Sequence, residues 1–229
     1  RQLEMATEPD AQIELMLKLA QLREQRMDAV EAAIEIYREV LDRDPTNEPA
    51  LQALERLLQS SSEHQLLIAE ILEPIYRDGS EFQKLIGVHE IQAQNASSPD
   101  RRVELLHRIA ELYEVALDQP HQAFEAFSRA LAEDPSNTVT QEQLERIGRS
   151  MGGAESLAQP YEQQLEGVDD PQLASSLHVK AAEIREEQLG DHQGAIGHYQ
   201  QVLELDPQHF EAASALERLF QLSERYEDL

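Results

Sequence analysis

The chain of 229 residues contains no cysteine. A disulfide framework, a thiolate zinc site and a cysteine nucleophile are therefore excluded. Positive charge is scarce: 19 Lys and Arg stand against 45 Asp and Glu, a formal net charge of −26. A surface this negative repels phosphate backbones and anionic membranes, so no nucleic-acid partner is expected. Long apolar runs are missing too, since charge interrupts each stretch within a few residues, and no membrane insertion is expected. β-branched residues are sparse and nowhere alternate over the length of a strand. No basic–apolar–small leader opens the chain. It starts at Arg1 and stops at Tyr226-Glu227-Asp228-Leu229, which reads as the beginning of a further helix. A piece of a longer array is the expectation. Both cytoplasmic and periplasmic proteins can lack cysteine; the cytoplasm is the expected compartment.

What is present is helical. Apolar residues make up 41% of the chain, enough for a core. They recur at spacings of three and four, as in Ile13, Met16, Leu17 and Ala20, or Val103, Leu106, Ile109, Ala110 and Tyr113. Breakers such as Asp44-Pro45, Asp134-Pro135, Gly190-Asp191 and Asp206-Pro207 separate these runs. The punctuation predicts an all-α fold of about twelve helices, each of roughly 14 to 20 residues.

The three Asp-Pro pairs align. Ala33, Tyr37, Val40, Leu41 and Pro45 keep the same spacing as Ala123, Phe127, Ala130, Leu131 and Pro135, and as Ala195, Tyr199, Val202, Leu203 and Pro207. Thirteen residues before each leading alanine stands another: Ala20, Ala110 and Ala182. A small residue there lets the aromatic ring of the next helix pack against its backbone. Proline then ends the second helix, because it cannot donate the next hydrogen bond. Downstream lie Leu54-Glu55-Arg56-Leu57, Leu144-Glu145-Arg146-Ile147 and Leu216-Glu217-Arg218-Leu219.

The Ala-x3-aromatic-x2-small-x4-Pro spacing, with a small residue on the preceding helix, resembles the tetratricopeptide repeat. It covers nearly the whole chain, although alanine replaces the usual first-helix glycine and the paired helices are joined by one extra residue. The resemblance implies a right-handed superhelical solenoid of six to seven antiparallel hairpins. The period is uneven. Pro207 follows Pro135 by 72 residues, but Pro135 follows Pro45 by 90, leaving 18 extra residues around Ser61–Asp78. That stretch reads as one additional helix. An irregularity is expected near residues 60–100, within a single solenoid 1–229 that divides into subdomains 1–78 and 79–229.

Little in the sequence converges as catalytic groups do. His107 and Glu111 stand four apart without a second metal-ligand pair, and His192 and His198 are six apart, so no metal is expected. Gly190, Gly194 and Gly197 follow no strand and precede no lysine, so they are not a phosphate loop. Carboxylates are everywhere and single out no acid–base pair. A non-enzyme without cofactors is expected.

In the tetratricopeptide family, first helices line a concave groove that holds a peptide or a partner's helix. The resemblance places Gln21, Glu24, Glu104, Glu111, Glu114, Glu183, Glu186 and Glu187 on that face, with Arg56, Arg146, Arg149 and Arg218 on the intervening first helices. Two outcomes are open: the acidic and arginine rows pair as a solvated ladder, or surplus carboxylates attract a basic segment. Only Lys18, Lys84 and Lys180 are available as lysines, which argues against a clamp for a partner's terminal carboxylate. Tyr37, Phe127 and Tyr199 are expected in the core, and Phe82, Tyr161, Phe210 and Tyr226 as possible exposed anchors.

The expected function is a protein–protein interaction scaffold that binds a protein or peptide with a basic or mixed-charge segment. Alternatives are a docking arm of a larger enzyme whose catalytic domain lies elsewhere, and an acidic DNA mimic. Self-association through uncovered terminal repeats is a further expectation.

Overall fold

The structure, a computed structural model, describes residues 9–26, 29–151 and 154–222, so Tyr226 lies outside the described residues. Among the described residues twelve α-helices follow one another: α1 Pro9–Arg26, α2 Val30–Arg43, α3 Glu48–Ser60, α4 Gln65–Asp78, α5 Phe82–Asn95, α6 Pro99–Glu111, α7 Pro120–Glu133, α8 Thr138–Ser150, α9 Ala154–Leu165, α10 Pro171–Glu187, α11 His192–Leu205 and α12 Phe210–Leu222. No strand occurs among the described residues, and the chain is an all-α helical repeat. The helices run from 12 to 18 residues, somewhat shorter than the spacing of breakers suggested.

Each Asp-Pro turn caps two helices at once. The Oδ1 atoms of Asp44, Asp134 and Asp206 accept the backbone N–H of Thr46, Ser136 and Gln208, folding the side chain over the proline. Three residues after each aspartate comes the cap of the next helix. Asn47 accepts from Ala50 N–H, Asn137 from Thr140 N–H, and the His209 Nδ1 from Ala212 N–H.

The extra residue within each hairpin is absorbed at the end of the first helix. Leu117 N–H reaches back five residues to Leu112 C=O in a wide π-type turn over Leu112–Ala116, and Leu189 N–H does the same to Ile184 C=O. Asp118 and Gly190 follow with φ of +53° and +63°, the left-handed backbone that releases the chain into the second helix.

The paired helices then close on small residues. Ala20, Ala110 and Ala182 are fully buried, as are the facing rings of Tyr37 and Phe127, with Tyr199 nearly so. Burying one such large side chain contributes about 1.5–3 kcal/mol.

The chain divides into two compact units, Arg1–Asn95 and Ala96–Leu229. The turn at 78–79 joins α4 to α5, which pack together inside the first unit.

In the first unit α1 pairs with α2, and α3 packs on α2. The additional helix is α4, which lies in the stretch the period arithmetic marked and packs against α3 and α5.

In the second unit α6 to α12 pair in succession, and α9 packs on both α7 and α8. Gly148 permits that seat, because a Cβ there would come within 2.6 Å of Leu157. The aligned residue of the first unit is Leu58.

Candidate functional site

The Leu-Glu-Arg columns fold into a repeated clasp. Arg56 Nη2 donates to both Glu24 carboxylate oxygens at 2.8 and 3.0 Å. Arg146 grips Glu114 through two nitrogens at 2.5 and 2.7 Å. Arg218 holds Glu186 at 2.6 Å, with a second contact at 3.2 Å. In each clasp the arginine follows the glutamate by 32 residues, linking one first helix to the next. The arginines are 50–58% exposed, whereas the glutamates are only 14%, 26% and 8% exposed.

Two of the clasps carry a third member. Tyr37 Oη donates to Glu24 at 3.2 Å, and Tyr199 Oη donates to Glu186 at 3.4 Å. Burial beside Glu24 pushes the Tyr37 hydroxyl up to about 12, and burial beside Glu186 raises that of Tyr199. The second clasp has Phe127 at that position and no hydroxyl. There the Arg146 hydrogen bond holds Glu114 below the usual carboxylate range.

Six of the twelve expected groove residues thus pair with one another. Glu104 is held on its own helix by Arg101 and Arg108, both at 2.6 Å, and Arg149 by Glu145 at 2.9 Å. The side chains of Gln21, Glu111 and Glu187 make no ion pair or hydrogen bond among the described residues. Glu183 has Lys180 at 3.7 Å, but that lysine sits closer to Glu145, at 3.1 Å.

Glu183 and Glu187 line a cleft of about 340 Å³ between α10 and the start of α12, together with Val179, Glu211 and Phe210. Burial and the neighbouring Glu187 and Glu145 raise Glu183 above the ordinary carboxylate range, against the opposing pull of Lys180. Phe210 is 81% exposed at the mouth. Of the aromatic anchors proposed from sequence, Phe210 is exposed and Phe82 is half-buried. Tyr161 is instead fully buried and donates to Gln141 C=O at 3.4 Å, because α9 seats against α8.

Of the histidines singled out by spacing, His107 and His198 are engaged inside the protein and His192 is exposed. His107 Nε2 meets the Thr140 hydroxyl at 2.8 Å, and its ring stands edge-on to Phe127. His198 joins a network that sequence spacing did not reveal. Its Nδ1 lies 2.9 Å from His178 Nδ1, and its Nε2 lies 3.3 Å from Glu162. With Nε2–H donating to the carboxylate, His198 Nδ1 must accept, so His178 carries its proton on Nδ1. Arg185 completes the network, donating to Glu162 at 2.6 Å and to the helix-capping Asp191 at 2.5 Å. No group of three or more His, Asp or Glu among the described residues has the arrangement to hold a metal ion. No described helix is long and apolar enough to cross a membrane.

The tetratricopeptide repeat family's sequence model matches residues 14–47 and 177–209. Each match spans one first helix, its second helix and the Asp-Pro turn with its following cap. The chain carries tetratricopeptide repeats at these two segments. Between the two matched segments, residues 104–137 keep the same residue spacing and Asp-Pro turn, and Glu114 makes the same clasp. No curated protein matches the chain.

Similar solved structures include a protein from Bacteroides ovatus, at 15% identity over 93% of this chain and 98% of that one, with a TM-score of 0.43. The C-terminal part of a tetratricopeptide repeat-containing protein from Cytophaga hutchinsonii is 17% identical over 90% and 82%, with a TM-score of 0.38. A tetratricopeptide repeat protein from Parabacteroides merdae is 13% identical over 92% and 73%, with a TM-score of 0.35.

Proposed function

We propose that the protein is an interaction scaffold, and that the cleft between α10 and α12 receives a basic or mixed-charge segment of a partner protein. The observation that carries this reading is the crowding of Glu183, Glu187 and Glu211 beside an exposed Phe210. The clasps neutralise Glu24, Glu114 and Glu186, so those acids are structural. Glu187, and Glu183 with Lys180 only at 3.7 Å, stand outside the clasps, and an entering ammonium or guanidinium relieves their repulsion. Phe210 supplies an aromatic surface on which the stem of a lysine or the plane of an arginine can lie. Negative potential over the whole chain accelerates encounter with such a segment more than it tightens the final complex.

Affinity capture of partners with the wild type and with Glu183→Lys/Glu187→Lys tests this. The expected result is a partner that elutes as salt is raised and that the double variant captures at least tenfold less well. Equal capture by a variant that keeps its helical circular dichroism contradicts the assignment.

A further inference from the structure

The first unit contains a larger depression of about 1130 Å³, bounded by the second half of α2, the first half of α3 and the additional helix α4. Its floor is apolar: Leu41, Leu51, Leu67, Ile71 and Ile75 line it, and the last three stay only half-buried. In the second unit, the helix that follows the aligned pair behaves differently. There α9 packs on both α7 and α8, and its Leu157, Ala158 and Tyr161 are buried. Leu58 stands at the position of Gly148 in the first unit. The depression is a helix-lined groove beside the additional helix.

We propose that this groove takes an amphipathic helix of another protein whose apolar stripe is flanked by Lys and Arg; the inference rests on the reading of the chain as a scaffold. Leu67, Ile71 and Ile75 stand four apart and form a ridge on α4, the pattern into which the i, i+4 side chains of a second helix settle. The charge around the floor selects the flanks. Asp42 and Glu70 have no cationic partner among the described residues, and Asp78 has Arg77 only at 3.9 Å. The cations of the groove are already engaged: Lys84 by Glu55 at 2.9 Å and Glu81 at 2.7 Å, Arg38 by Glu35 at 2.7 Å. A second copy of this chain is a poor occupant, since each copy carries a net charge of −26.

The test uses a fluorescein-labelled amphipathic peptide of Leu and Lys in a helical pattern, with a Leu–Glu peptide of the same pattern as control. Both are titrated against the chain by fluorescence anisotropy at moderate salt. The Leu–Lys peptide is expected to bind, and the Leu–Glu peptide is not. Glu70→Lys/Asp78→Lys, exposed and remote from the core, is expected to weaken binding at least tenfold. Ile71→Ser is expected to do the same from the floor. A charge-matched reversal elsewhere, Glu125→Lys/Glu142→Lys, is expected to change binding less than twofold.

Equal losses in the rim variant and the charge-matched variant would mean non-specific attraction and overturn the groove. Loss only in Glu183→Lys/Glu187→Lys would also overturn it while leaving the scaffold reading in place. Failure of the wild type to bind either peptide would count against both. A dimer in sedimentation experiments that Ile71→Ser disperses would overturn the choice of occupant.

Discussion

Glu186 lies 8% exposed beneath Arg218, while Glu114, in the equivalent place beneath Arg146, is 26% exposed. Removing an arginine costs more where the carboxylate left behind is drier. Arg218→Ala should therefore destabilise the protein more than Arg146→Ala, by about 1 kcal/mol. Urea midpoints at constant slope measure this, and the reverse order would contradict it. Protons act at the same scale in the His178–His198 network. Burial chiefly lowers both histidines, with Glu162 and Asp191 pulling His198 the other way and Arg185 adding to the depression. Since the folded state resists protonation, the unfolded chain takes up protons first on acidification. Stability should fall as pH drops through the ordinary histidine value of about 6.5. The imidazolium form also places two N–H groups face to face between the rings. His178→Phe should flatten the stability–pH slope between about pH 5 and 7; an unchanged slope would contradict the network's role. The glutamates and arginines of the clasps were each visible in the repeat columns. Their mutual pairing was not, because a separation of 32 residues says nothing of distance until the hairpins are stacked. The histidine network was equally hidden, since its members come from three helices at irregular spacing.

At the scale of the element, the joints carry the information. Asp118 and Gly190 occupy the same left-handed place at the end of a first helix. An aspartate there costs about 1 kcal/mol relative to glycine. Asp118→Gly should accordingly stabilise the second unit by up to about 1 kcal/mol, read as an upward shift of the urea midpoint. A loss of stability would show that the aspartate side chain, not the backbone angle, governs that turn. The helices, the Asp-Pro stops and the additional helix at α4 were legible because periodicity and proline act locally. The π-type turn was legible only as a one-residue excess, since its hydrogen bonds have no residue signature. Tyr161 lay outside the repeat columns, and its burial comes from the seating of α9 on α7 and α8.

For the molecule as a whole, charge and repeat architecture point the same way. Tetratricopeptide hairpins present side chains along stacked helices, and here a net charge of −26 remains after the clasps have formed. The acids divide into those that tie hairpin to hairpin and those, such as Glu183 and Glu187, that line a cleft outside the clasps. Composition announced the surplus, but only the Arg218–Glu186 clasp and the cleft between α10 and α12 separated the two groups. Hydrogen exchange of the chain with and without the captured partner tests this division most directly. Added protection in α10 around Glu183 and Glu187, and in α12 beginning at Phe210, is the predicted footprint. A bound partner that leaves both segments exchanging at their free rates would contradict it.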